Sequence, residues 1–205
     1  MRIALVILLG LLVTKVADSS PLVEEADVGR HVFRMETLGG DFYCTAFAVE
    51  EKVGVTAGHC VLFGIVVRVS PYTLYTTSSF KAEALGPGRD KAVFWFGYLR
   101  RGLPLYEGPL QHGDKLYTEG YPAGVRLAMV CDYDAATTAF FSAVLRVETV
   151  GVMRCPHELR GGASGSPIVK GGRVVGVLTH YISDERNVAL FTRLSNKDLE
   201  EVQRE

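Results

Sequence analysis

The chain has 205 residues, 48% of them hydrophobic and 22% charged, and its 22 Lys and Arg against 23 Asp and Glu leave a formal net charge of −1. That length builds one core, or one domain made of two halves. The even charge balance excludes a polycationic nucleic-acid binder, and no acidic block marks a solvating tail.

Arg2 precedes an apolar run from Ile3 to Val13, followed by Thr14, Lys15 and the small or polar Ala17-Asp18-Ser19-Ser20. A basic start, a short apolar run and small residues are the layout of a secretory signal peptide, with cleavage expected after Ser19. The run falls short of the ~20 apolar residues that a spanning helix needs. An uncleaved anchor over residues 1–19 is the alternative, and only then is membrane association expected. Either way residues 20–205 are placed outside the cytoplasm, secreted or periplasmic. Residues 21–30 are acidic on balance and weakly patterned, so they are expected to form an exposed lead-in. The four cysteines, Cys44, Cys60, Cys131 and Cys155, are an even number behind an export signal, which suggests disulfides. No Cys-x-x-Cys pair is present, and Cys155 with His157 supplies only two ligands. No metal or organic cofactor is expected.

From residue 31 onward the pattern is of strands. Residues 31–38, 42–49, 52–56, 64–70 and 91–96 are short runs rich in Val, Phe, Tyr and Thr, punctuated by Gly39-Gly40, Glu50-Glu51 and Gly86-Pro87-Gly88. Residues 100–113 hold two Pro and three Gly and read as a connector. A second set of strands is expected at 115–120, 125–131, 140–150, 167–170, 173–180 and 188–194. Gly171-Gly172 between Lys170 and Arg173 is a hairpin signal. Two groups of about six strands predict an all-β protein of two antiparallel six-stranded barrels, at about 30–100 and 114–195. A short C-terminal helix is opened by Ser195 and Asp198 as a capping box, with Leu199 and Val202 as its apolar stripe.

Chemistry concentrates in two stretches. In Gly162-Ala163-Ser164-Gly165-Ser166-Pro167, a serine hydroxyl can attack a carbonyl if a base takes its proton and donors receive the oxyanion. Gly162 lets the backbone turn so that its N–H and that of Ser164 point into one oxyanion hole, and Gly165 keeps the nucleophile uncrowded. Thr56-Ala57-Gly58-His59-Cys60 ends an apolar strand and places an imidazole at its terminus.

Together with Cys44 upstream, these stretches resemble the trypsin/chymotrypsin-like serine protease family, over about residues 32–194. The resemblance implies a disulfide Cys44–Cys60 beside His59, and a peptide or protein as substrate. It also implies an Asp opening a hydrophobic strand between His and Ser. Asp90, in Arg89-Asp90-Lys91-Ala92-Val93-Phe94, fits better than Asp114, Asp132 or Asp134, the first in a Gly-rich turn and the others after a strand. A catalytic triad of His59, Asp90 and Ser164 follows, with Asp90 holding the His59 tautomer. Gly176-Val177-Leu178-Thr179 resembles the strand that flanks substrate, where a Ser or Thr near Thr179 bonds the catalytic Asp. The strand opened by Ala189 resembles the one that lines the specificity pocket. Glu158, six residues before Ser164, lies near the pocket base by this likeness and would favour Arg or Lys, whereas His180 would favour Glu or Gln. A second disulfide, Cys131–Cys155, is the remaining pair. The chain departs from digestive members in having Ala163 where they carry an Asp, so activation through that ion pair is not expected. Its loops are short, as in bacterial and viral members. A monomer is expected, with a narrow processing protease or an inactive binding module as the alternative functions. The order His, Asp, Ser excludes an α/β hydrolase.

Overall fold

The Val-, Phe- and Thr-rich runs become strands of two antiparallel units in the computed structural model, which describes residues 25–37, 39, 41–50, 52–61, 66–69, 73–76, 80–83, 89–95, 101–140, 147–182 and 184–203. The expected leader over residues 1–19 lies outside these. The first unit comprises β1 (Val32–Thr37), β2 (Phe42–Val49), β3 (Val53–Thr56), β4 (Val66–Val69), β5 (Thr73–Thr76), β6 (Phe80–Glu83) and β7 (Lys91–Trp95). It is a seven-stranded sheet in the order β5-β4-β1-β2-β3-β7-β6. The second comprises β8 (Lys115–Gly120), β9 (Leu127–Phe140), β10 (Val147–Arg154), β11 (Pro167–Lys170), β12 (Arg173–Tyr181) and β13 (Val188–Arg193). These close into a barrel in the order β10-β13-β12-β11-β8-β9.

The second unit is the six-stranded barrel the sequence predicts; the first departs from it. Among the described residues it is an open, seven-stranded arc, because β5 and β6 pair onto the outer strands β4 and β7. Both come from a stretch with Pro71 and serines that carries no alternation, so only their partners reveal them. β9 also runs past the expected end at 131. Cys131 and Tyr133 turn inward while Asp132 is exposed, so period-2 alternation continues through residues that look like a polar loop. Asp132 and Asp134 therefore lie within a strand. The lead-in is corrected too: a helical turn, α1 (Glu25–Val28), continues into a 3₁₀ turn (Gly29–His31), and Val28 is fully buried.

Three apolar layers follow from the alternation. Cys44 and Ala46 of β2 face inward with Met35, Ala57 and Phe94. The opposite face of β2, Phe47 and Val49, packs against Val169, Val174 and Val177 of the barrel and so joins the two units. The barrel interior holds Leu116, Met153, Ile168 and Phe191. The connector straps the units together: Leu103 bridges to Val49 in parallel, and Leu105 to Val174. The terminal helix, α2 (Asn196–Gln203), starts as predicted, with the Asp198 carboxylate accepting the Ser195 N–H at 2.8 Å and its Oγ–H at 2.7 Å. Asp198 also meets Lys91 Nζ at 2.6 Å, and Leu199 is buried, so the helix start is fastened to β7. The Val202 side chain lies outside those described. Both expected disulfides, Cys44–Cys60 and Cys131–Cys155, are formed.

Each unit seats a phenylalanine ring over a strand glycine. A Cβ at Gly54 would lie 2.2 Å from the Phe94 ring, and one at Gly151 2.1 Å from that of Phe191. Gly151→Ala should therefore lower the unfolding free energy by about 2 kcal/mol through overpacking. Phe191→Leu in the same chain should return part of that. Urea midpoints measure both, and parental stability of Gly151→Ala would mean that the ring yields freely.

Candidate active site

Thr56 of β3 lies opposite Ala92 of the antiparallel β7. Continuing three residues past Thr56 and stepping two back from Ala92 leads to the same edge of the sheet. His59 and Asp90 meet there. His59 sits in the 3₁₀ turn Gly58–Val61, which the Cys44–Cys60 disulfide ties to β2. The buried Asp90 carboxylate holds it twice: Oδ1 accepts the His59 backbone N–H at 2.7 Å, and Oδ2 lies 2.6 Å from Nδ1. This grip fixes the ring and directs Nε2 away from Asp90, with 39% of the side chain exposed. The other candidate acids are engaged elsewhere. Asp114 accepts from Lys170 and the Gln111 amide, Asp132 pairs with Lys115, and Asp134 with Arg154.

Ser164 lies on the segment between β10 and β11. Its carbonyl accepts the Thr45 N–H at 2.8 Å, a bond from β2 of one unit to the other. Gly165 has φ +87°, and a Cβ there would lie 1.9 Å from the Thr45 carbonyl oxygen, so glycine alone fits. The Ser164 hydroxyl donates to the Thr179 carbonyl at 3.2 Å, and among the described residues no hydrogen bond joins it to His59.

The backbone before Ser164 is held through its carbonyls. Gly161 O accepts from the Ala123 N–H at 2.7 Å. Gly162 O accepts the Thr45 Oγ–H at 2.8 Å. Ala163 O accepts the Ser166 amide at 3.1 Å and its hydroxyl at 2.7 Å. In a trans peptide the N–H points opposite its C=O. The Gly162 and Ser164 amides are thereby turned away from these partners, and among the described residues neither donates to a carbonyl. Gly162, at φ +96°, makes the turn between them.

Of the remaining predicted residues, His180 comes beside His59 and Asp90, while Glu158 is turned out to solvent. Thr179 is buried, but its hydroxyl goes to the Leu190 carbonyl at 3.2 Å, not to the acid. The residue that approaches Asp90 is His180, with Nδ1 3.7 Å from Oδ2 and its ring 5.5 Å from that of His59. Burial holds His180 below the usual imidazole range, with Asp90 opposing the shift and His59 adding to it. Glu158 is exposed while its neighbour Leu159 is buried, so no acid is drawn inward there. Ala189 is buried, opposite Met153 and Tyr181. Sequence reasoning missed Thr45, Ala123 and Ser166. The signal available was a hydroxyl inside the apolar β2, since a buried hydroxyl needs partners.

No protein-family model matches the chain, and no curated protein matches it either. Among solved structures it is similar to the active form of the Rv3671c protease from M. tuberculosis, at 18% identity, over 88% of this chain and 82% of that one, with a TM-score of 0.66. It is similar to kallikrein-related peptidase 10 in complex with Zn2+, at 16% identity, 82% and 91% coverage and a TM-score of 0.62. A third likeness is to the protease Anisep from Arthrobacter nicotinovorans, at 19%, 80% and 89%, with a TM-score of 0.56. The fold is the trypsin-like double barrel.

Thr45 Oγ also accepts the Tyr121 N–H, at 3.0 Å. Thr45→Val keeps the shape but leaves that amide and the Gly162 carbonyl without this partner. It should cost about 2 kcal/mol of stability, and Thr45→Ser should recover most of it. Chemical denaturation tests this; a valine variant as stable as the parent would show that the hydroxyl contributes nothing.

Proposed function

We propose that this protein is a serine endopeptidase that hydrolyses peptide bonds through Ser164, His59 and Asp90. The observation that carries the reading is the double hold of Asp90 on His59. It suits an imidazole that must stay in one tautomer and become charged during turnover. In the proposed reaction the Ser164 hydroxyl turns from the Thr179 carbonyl to His59 Nε2. Its oxygen then bonds the substrate carbonyl carbon while the proton passes to Nε2. The carbonyl oxygen takes the negative charge and receives the Gly162 and Ser164 N–H groups, each such donor contributing about 3 kcal/mol. His59 returns the proton to the leaving amine as the C–N bond breaks, and water repeats the sequence on the acyl-enzyme. Asp90 stays ionised and steadies the imidazolium.

Folds of this class host other functions, so activity is set by the site. The protease neighbours support a peptide or protein substrate. The two disulfides suit an oxidising compartment, in keeping with secretion or the periplasm. Glu158, exposed, supplies no buried charge to select Arg or Lys.

The test is a fluorophosphonate probe on the full chain, exported so that its disulfides form. Labelling is expected in the parent and absent in Ser164→Ala and His59→Ala. Asp90→Asn should label slower by about 10⁴-fold. A folded parent that takes no label would leave a binding module of this fold as the reading.

A further inference from the structure

The proposed reaction makes no use of His180, yet this side chain stands against the two groups on which that reaction depends. One donor atom each from His59, Asp90 and His180 lies within 4.8 Å of the other two. Asp90 Oδ2 is the common point, 2.6 Å from His59 Nδ1 and 3.7 Å from His180 Nδ1. Donors around a tetrahedral zinc ion, at bonds of about 2.0–2.1 Å, stand about 3.3 Å apart. The two observed distances straddle that value, so small side-chain shifts bring the three donors onto one ion.

From this convergence we infer a transition-metal site of two imidazoles and one carboxylate, formed by His59, Asp90 and His180, that takes Zn2+ and holds the catalytic pair out of use. The donor set decides the metal class. Two imidazole nitrogens suit zinc, copper or nickel, whereas magnesium and calcium need oxygen-rich cages. Three protein ligands with a fourth position open is the coordination of accessible zinc sites. The ligating atoms face inward, the Asp90 side chain being 5% exposed and His180 Nδ1 buried, so the ion and its water enter as the His180 ring, 33% exposed, turns aside. The second oxygen of Asp90 is anchored by the His59 backbone N–H, the outer-shell contact that orients a ligating carboxylate. The ligands belong to separate elements: the turn after β3, the residue before β7, and β12. Cys44 and Cys60 also lie near His59, but their sulfurs are spent in the disulfide.

Binding displaces the proton that His59 Nδ1 shares with Asp90, so the ring becomes a ligand fixed by metal. The coordination itself is independent of what the site does. The loss of activity rests on the serine endopeptidase reading.

The experiment separates the two. The full chain carrying Ser164→Ala, stripped with a chelator, is titrated calorimetrically with ZnCl2 alone and with MgCl2 alone. Zinc is expected to bind one ion per chain at this site, and magnesium not at all. His180→Phe should weaken zinc binding by about tenfold or more. His112→Gln, which removes the other His–Asp pair, at 3.5 Å, should leave it unchanged. Circular dichroism checks folding, and His180→Asn asks the same question should the phenylalanine variant unfold. A folded parent that ignores zinc, or equal affinity in the folded His180 variant, overturns the site. In the unmutated chain zinc should block fluorophosphonate labelling and EDTA restore it. Labelling that persists with zinc bound overturns the inhibitory role, whereas a chain unlabelled even without zinc sinks the protease reading and leaves the calorimetric result standing.

Discussion

Among the described residues, a single backbone hydrogen bond, from the Thr45 amide to the Ser164 carbonyl, joins the two units where the proposed chemistry occurs. His59 and Asp90 belong to the first unit and Ser164 to the second, so their separation depends on how β2 lies against the barrel. The alternation of β2 sets this. Cys44 and Ala46 turn into the first sheet, while Thr45, Phe47 and Val49 face the barrel, where Phe47 and Val49 meet Val169, Val174 and Val177. Slipping β2 by one residue would exchange those faces and put Thr45 on the wrong side. The apolar seam that stabilises the double unit is thus also the ruler that spaces the site. Leu103 and Leu105, bridging to one unit each, keep that seam from opening.

Among the described residues, the turn before Ser164 is held without an ion pair. Ala163 is buried in the barrel core, where a carboxylate would need a charged partner to offset its desolvation. Three residues, Ala123, Thr45 and Ser166, do the orienting through neutral hydrogen bonds, each to a different carbonyl of residues 161–163. Neutral hydrogen bonds carry a small desolvation cost and depend on no newly formed terminus. Nearby, Glu119 is one buried charge that is accepted, and it is met by Arg126 and by the Tyr117 hydroxyl at 2.8 Å.

What was legible in the sequence was whatever chain order encodes locally. The turn residues around Ser164, the strand ending at His59 and the apolar run after Asp90 are contiguous patterns, and antiparallel pairing of β3 with β7 does the rest. The cysteine pairs were legible because only one partner remained once Cys44 and Cys60 were matched by family likeness. Long-range placements were not. β5 and β6 owe their strand state to β4 and β7 rather than to any pattern of their own. Thr45 reads as one more β-branched residue, and its meaning appears only when Gly162, 117 positions away, comes beside it. Thr179 and His180 show the same limit. Register shifts between Leu178 and His180, and that irregularity decides which of the two approaches Asp90.

The site is stiff where charge would develop and soft where a proton would move. The backbone before Ser164 is pinned by several bonds of 2.7–3.1 Å, so in the proposed reaction the Gly162 and Ser164 amides would receive an oxyanion with little reorganisation. The Ser164 hydroxyl, by contrast, rests on one long bond of 3.2 Å to the Thr179 carbonyl. Exchanging that neutral bond for one to His59 Nε2 changes stability by about 1 kcal/mol. A serine rotamer change of that size is small beside the barrier of peptide hydrolysis. In the proposed reaction the resting hydroxyl position is therefore no obstacle to turnover.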